Sequence, residues 1–212
     1  MTLWHDIGRQ LRSPEGIGGR LTGVLMRIVN AKPNRLAVEA LRIAPHDTVL
    51  ELGFGPGHGI ALLAERATVG LVYGVDQSRV MLEQAQKRNQ QAIDAGRVAL
   101  HEAGFDRLPF ADASIDKILA VNVIYFWHDV PVVLREIRRV LRPGGRVSIY
   151  ATDASTMRQW KFAGPETHRL FSATELATAL RQGGFGGHQA MVNAIRVAGG
   201  VNGLLATISN PI

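Results

Sequence analysis

Glu51, a run of glycines and Asp76 are the residues whose types and spacing suggest chemistry. Gly53, Gly55, Gly57 and Gly59 stand at every second position after Glu51, with Pro56 among them. Such a backbone turns sharply and lets a ligand approach with no Cβ in the way. The plainer reading of the same residues is a tight strand-to-helix turn. Asp76 follows about 20 residues later, the separation at which a carboxylate takes a ribose hydroxyl pair in nucleotide-binding folds. Glu51 then sorts the ligands. A pyrophosphate calls for G-x-G-x-x-G, whereas this loop reads E-x-G-x-G-x-G. A carboxylate there repels a pyrophosphate and suits a cation, such as a sulfonium that also carries an ammonium group.

The elements that must position these residues alternate along the chain. Residues 48–52 are an apolar run with one acid, which reads as a buried parallel strand. Ile60, Leu62, Leu63, Ala64 and Ala67 repeat at helical spacing, and residues 71–76 form a second strand ending in Asp76. Gln77-Ser78 opens a helix with Ser78 as its N-cap, lined by Val80, Met81, Leu82, Ala85 and Ile93 and ended by Gly96. Strands at 98–100 and 115–121 follow. Pro131 opens a helix through Val140 whose end carries Arg138 and Arg139, where cations are favoured. Pro143-Gly144-Gly145 turns into a fifth strand at 146–151. A helix at 174–182, stopped by Gly183-Gly184, precedes two strands at 189–198 and 203–209 joined around Gly199-Gly200. Alternation of this kind predicts a parallel sheet. Upstream, Leu21, Val24, Leu25, Ile28 and Val29 suggest one helix, and Leu36, Val38, Ala40, Leu41 and Ile43 another. Pro33 breaks them apart, and Gly16, Gly18 and Gly19 form a joint before the first.

The stretches V-L-E-L-G-F-G-P-G-H-G, Y-G-V-D, L-P-F-A-D-A-S-I-D-K-I-L-A-V-N and L-R-P-G-G-R-V-S-I, in this order over residues 48 to about 150, closely resemble the class I S-adenosylmethionine-dependent methyltransferases, and most of all their small-molecule branch. The resemblance implies a Rossmann-like α/β fold: a seven-stranded, mostly parallel sheet with helices on both faces, a closing antiparallel hairpin and an N-terminal helical cap. It implies a single domain over 1–212, with the cap at about 1–45 and the cofactor-binding core at about 46–151. The implied cofactor is S-adenosyl-L-methionine, leaving S-adenosyl-L-homocysteine as product.

By the same resemblance, Glu51 fixes the loop and favours the cationic end of the cofactor. Gly53, Gly55 and Gly57 pass their backbone along it, Asp76 takes the ribose hydroxyls and Gln77 flanks the adenine edge. Asn122 lies near the methionine end and acts through its backbone carbonyl. Asp76 as a helix cap and Asn122 as a strand-end turn residue are the structural alternatives. One position departs from the family. Aligned on Leu108-Pro109-Phe110, Gly104 stands where the family usually has an Asp that reaches the adenine amino group. The amide of Phe105 remains to serve the adenine, at a cost of about 1 kcal/mol for the missing hydrogen bond.

The acceptor side is thinner. Tyr125, Trp127 and His128 sit where acceptors bind in the family. His128 and Tyr125 are the catalytic candidates, His128 as general base for a hydroxyl or phenol. The alternative places His128 on the surface at a helix entry and Tyr125 in the core. His168 is a second candidate base. Trp160, Phe162 and Phe171 line the pocket or pack the core, and Trp4 and His5 reach the pocket mouth or anchor at the surface. The Pro-Pro-Tyr-type motif of base-methylating enzymes is absent after the fourth strand, which argues against that activity.

Composition narrows the classes further. The chain has 212 residues, 46% hydrophobic and 20% charged, enough for one full core. The absence of cysteine excludes disulfides, thiolate metal sites and the cysteine-dependent arsenic methylation of some family members. No signal peptide or apolar span predicts a cytoplasmic protein. The net charge of +6 raises nucleic acid or an anionic membrane as partners. The basic residues form no run, however, and aromatics do not interleave with them as base stacking requires. The expected partner is therefore a small-molecule methyl acceptor. Methylation of RNA or protein, and non-catalytic S-adenosylmethionine binding, are the alternatives. Oligomeric state is not legible.

Overall fold

The computed structural model describes residues 30–164, 167–185 and 190–210. The expected first helix around Leu21–Val29, the Gly16–Gly19 joint, Trp4 and His5 lie outside these residues. Helix α1 covers residues 30–41 and carries Pro33 within it. Pro33 therefore does not end a helix. Ala37, Val38 and Leu41 bury its inner face, and Arg42 leaves it with a left-handed φ of 53°.

Strand β1 (Val49–Leu52) is buried along its length. Helix α2 (His58–Arg66) leads to β2 (Val72–Asp76), and α3 (Arg79–Asp94) to β3 (Val98–Glu102). Then come β4 (Ile115–Val121), a short 3₁₀ turn (Ile124–Phe126), α4 (Val130–Val140), β5 (Leu141–Thr152), α5 (Ala154–Met157) and α6 (Ala173–Gln182), with β6 (Ala190–Arg196) and β7 (Asn202–Ser209) last. The seven-stranded sheet has the order β3-β2-β1-β4-β5-β7-β6. β1 to β5 are mutually parallel, and β7 runs antiparallel to both β5 and β6.

The period of two along the strands divides the core. Leu50, Leu52, Ile118, Ala120 and Ile149 face one side, under α4 and α6. Val49, Leu119, Val121 and Tyr150 face the other, under α1, α2 and α3. Helices thus cover both faces, as expected. From β1 the chain winds one way through β2 and β3, then returns to β4 on the opposite side. The resulting switch point lies between β1 and β4, where open α/β sheets bind ligands at the strands' carboxyl ends.

Local capping explains several boundaries. Ser78 caps α3 by accepting from the Met81 amide. Asp129 caps α4 by accepting from the Val132 amide at 3.0 Å, so Pro131 is the second residue of that helix and not its start. Ser172 and Glu175 form a reciprocal capping box on α6. The expected turn at Pro143-Gly144-Gly145 lies inside β5, as a bulge where pairing jumps from Ile115–Leu141 to Lys117–Arg146. Asn210 holds it, taking the Gly144 amide at 2.9 Å and donating its side chain to the Leu141 and Arg142 carbonyls.

Candidate functional site

The ends of β1, β2 and β4 open into a cleft enclosing about 710 Å³ of space, part of it open to solvent. Of the residues the sequence suggested, Glu51, Gly53, Gly55, Asp76, Gln77, Phe105 and Asn122 line it together. Asn30, Asn34, Phe54, Pro56, His58, Met81 and Phe126 line it as well.

Asp76 ends β2 with its carboxylate gripped by backbone. The Gly55 amide donates to Oδ2 and the Ser78 amide to Oδ1, each at 2.9 Å. Asp76 is thus tied to the glycine loop while Ser78 caps the helix. Burial raises its pKa, and the amides pull it back only in part. A carboxylate has about four lone-pair sites, so about two remain for a ligand's hydroxyls.

Glu51 is 3% exposed, and its Oε2 has no hydrogen-bond partner among the described residues. Burial first, and the negative Asp76 second, push its pKa well above the ordinary carboxylate value. A buried acid without a counter-ion is costly unless a ligand supplies the charge.

The loop glycines divide in function. Gly57 does not line the cleft. It is the N-cap of α2 at φ 81°, and a Cβ there would lie 2.8 Å from the Ala85 Cα, so it lets α2 pack on α3. Asn89 on α3 seals this contact, donating to the Gly57 carbonyl at 3.1 Å and the Ala85 carbonyl at 2.8 Å. Gly59 protects the acid, because a Cβ there would stand 2.0 Å from Glu51 Oε1. Gly to Ala inside a helix ordinarily stabilises by about 0.5–1 kcal/mol. Gly59→Ala is expected to destabilise instead, by about 1–3 kcal/mol in denaturant unfolding, because the clash must be relieved inside a packed core.

Asn122 follows β4 with a left-handed φ of 52°. Its side chain bonds mainly to protein. Oδ1 accepts from the Tyr125 hydroxyl at 2.7 Å and the Thr152 amide at 3.1 Å, and Nδ2 donates to Asn30 Oδ1 at 2.8 Å. Its Oδ1 is thereby taken up by protein, and Nδ2 keeps one N–H beyond its bond to Asn30. Tyr125 is buried, and its hydroxyl also accepts from the Thr152 amide. Burial raises its pKa. The structure thus places the Tyr125 hydroxyl behind the cleft, bracing Asn122, where it cannot serve as a base for an acceptor. His128 is exposed and lines an adjoining groove with Gln77, Phe105, Asp106, Trp127 and Asp129, not the cleft itself. His168 is buried behind Phe126, ring centroids 4.9 Å apart, with Nδ1 2.9 Å from the Thr167 hydroxyl.

Gly104 does not line the cleft either. The space its side chain would enter is taken by Asp106, whose Oδ1 lies 2.7 Å from the position of a Cβ. Arg139 holds the segment that follows, donating to the Leu108 and Phe110 carbonyls, to Asp112 and to both oxygens of Glu136. Glu136 in turn accepts the Leu108 amide at 3.0 Å. These bonds steady the loop that carries Phe105 into the cleft.

Asn30 and Asn34 escaped the sequence reading. Their signal is a polar interruption, four residues apart, in the apolar stripe that continues through Ala37, Val38 and Leu41.

A glycine loop after the first strand, an acid ending the second and a cleft at the switch point define a class: Rossmann-like nucleoside-binding domains whose loop carries an acid. Comparison with known proteins narrows it. Residues 50–149 match the family described as "Methyltransferase domain". The chain is 30% identical over 129 residues to "Uncharacterized methyltransferase YdaC" of Bacillus subtilis, covering 61% of this chain and 69% of that protein. It is 32% identical over 130 residues to the "Ubiquinone/menaquinone biosynthesis C-methyltransferase UbiE" of Geotalea daltonii, covering 61% and 55%. Other curated relatives are spanned for only 31% and 40% of their length. A chain from the complex between the Haloferax volcanii Trm112 methyltransferase activator and a methyltransferase shares the fold, with a TM-score of 0.79 over 100% of both chains at 19% identity. The chain belongs to the class I S-adenosylmethionine-dependent methyltransferases.

Proposed function

We propose that this chain binds S-adenosylmethionine in the cleft at the ends of β1, β2 and β4 and transfers its methyl group to a small-molecule acceptor. The observation that carries the reading is Glu51, a buried carboxylate with an unpartnered oxygen in the same cleft as Asp76. A cationic nucleoside satisfies both acids, whereas a pyrophosphate satisfies neither. The sulfonium supplies an activated methyl group. When bound, it would leave as S-adenosylhomocysteine, the carbon–sulfur electron pair returning to sulfur while the acceptor gains the methyl and gives any displaced proton to solvent.

The protein's part is positional. Asp76 takes the ribose hydroxyls, Glu51 the ammonium, and Gln77 and Phe105 flank the adenine. Holding the reacting atoms in line is worth up to about 7–11 kcal/mol without a strong base. Phe126 lines the cleft, and behind it His168, Phe162 and Trp160 continue an aromatic wall. That wall supports an acceptor with an apolar or aromatic body. His128 has no role at the methyl group in this reading, because it faces the adjoining groove.

Asp106 replaces the acid missing at Gly104 and accepts from the adenine amino group. Asp106→Ala is expected to weaken S-adenosylhomocysteine binding about 3- to 10-fold, the cost of one exposed hydrogen bond. It should leave the inosine analogue, which lacks that amino group, unaffected. Calorimetry with both ligands checks this.

The function itself is tested by parallel titration with S-adenosylmethionine, S-adenosylhomocysteine and NAD, followed by transfer of labelled methyl to an acceptor library. Binding of the first two and labelling of a compound is the expected result. Binding of NAD alone, or labelling only of RNA or protein, overturns it.

A further inference from the structure

The two edges of the sheet are not alike. β3 has five residues and ends in Glu102, which pairs with Arg79 at 3.5 Å. Short length and charge are the usual guards of an exposed edge. β6 has seven residues, Ala-Met-Val-Asn-Ala-Ile-Arg, with no proline, no acid and no bulge in its pairing with β7. Met191 stands 59% exposed on it.

Hydrogen bonds on either side of β7 fix which way the β6 backbone faces. The Asp153 amide donates to the Asn202 carbonyl at 2.9 Å, so Asn202 and every second residue after it bond to β5. Gly203, Leu205 and Thr207 are left to bond β6, opposite Ile195, Asn193 and Met191. The Val197 amide, donating to the Val201 carbonyl at 2.8 Å, fits the same alternation. Ala190, Val192, Ala194 and Arg196 therefore turn their N–H and C=O groups away from β7, toward no other strand of the described residues.

That free ladder is self-complementary. Two antiparallel copies centred on Asn193 set Val192 opposite Ala194 and Ala190 opposite Arg196, so every outward donor meets an outward acceptor. The pairs between them bring side chains closest: Met191 with Ile195, and Asn193 with Asn193. An exposed Met gains an apolar neighbour and two carboxamides bond each other. The two copies of Arg196 stand at opposite ends of the ladder, so no like charges meet. We propose that β6 joins two copies of this chain about a two-fold axis at Asn193, extending one sheet into the other. Pairing of this kind does not depend on the bound cofactor.

The experiment measures the mass of the full chain by sedimentation for wild type, Ala194→Pro, Asn193→Asp and Asn193→Lys. Wild type is expected to dimerise with a Kd of about 1–100 μM, as suits a small interface. Ala194→Pro removes an outward N–H and none of the bonds to β7, and should leave a monomer. Asn193→Asp and Asn193→Lys each set like charges face to face, which should weaken self-association about 100-fold or more. Mixed together, these two variants should pair again as a heterodimer. Recovery on mixing does not arise from misfolding or from an interface elsewhere. Wild type that stays monomeric through that range overturns the proposal. So do variants that all dimerise like wild type, or charge variants that stay apart when mixed.

Discussion

Glu51→Gln is expected to raise the melting temperature of the ligand-free protein while weakening S-adenosylmethionine binding. The two effects share one cause. Glu51 is buried, lacks a partner for one oxygen and lies in the field of Asp76. Its folded-state pKa is therefore raised, and the sign of the linkage follows. The contribution to stability is fully present below the unfolded value near 4.5 and is lost as pH rises through the folded value. Glutamine keeps the shape and removes the charge. The stability difference between variant and wild type should thus be small in acid and grow with pH across that window. It should reach roughly 1 kcal/mol or more, about 2–4 °C for a domain of this size. Binding moves the other way. Loss of a charge-assisted contact to the ammonium costs about 10- to 100-fold in affinity. Thermal scans at several pH values and calorimetry on the same two proteins test both effects. A variant that is less stable at neutral pH and binds as wild type would remove Glu51 from the site.

Asp76→Asn is expected to have the largest effect on ligand binding, a loss of about 100-fold or more. Its carboxylate serves inward and outward together. Inward it accepts the Gly55 and Ser78 amides. An asparagine presents an NH₂ to one of these donors, so the loop or the start of α3 must move. Outward it loses the second acceptor for a ribose hydroxyl pair. Because the ribose is common to both ligands, S-adenosylhomocysteine and 5′-methylthioadenosine should weaken together. Unchanged affinity for 5′-methylthioadenosine would show that Asp76 is only a brace for the loop.

These effects bear on what a chain of this kind reveals before it is folded. The alternation of apolar runs and helical stripes was enough for the seven strands and for α2, α3, α4 and α6, though not for the short α5, because burial on both faces makes parallel strands read as continuous apolar segments. Where the reading failed, distant contacts decided. Pro33 sits within α1 and ends nothing. Pro143-Gly144-Gly145 stays in β5 because Asn210, nearly seventy residues away in sequence, satisfies the bulge. The glycine loop looked uniform in sequence, yet Gly57 serves helix packing and Gly59 makes room for Glu51.

The sequence by itself determined the class of fold, the acid-bearing loop and the second acid, because their chemistry depends on residue type and short spacing. Through its resemblance to the family it also drew attention to Gly104, next to Phe105. Only the tertiary structure decided that Asp106 fills the space beside Gly104, that Tyr125 braces Asn122 from behind, and that His128 faces a neighbouring groove. The contribution of Asn30 and Asn34 likewise emerged only when α1 was seen against the ends of the strands. Local pattern sets which elements form. Which side chains meet in the cleft depends on how those elements cross, and no spacing along the chain records that.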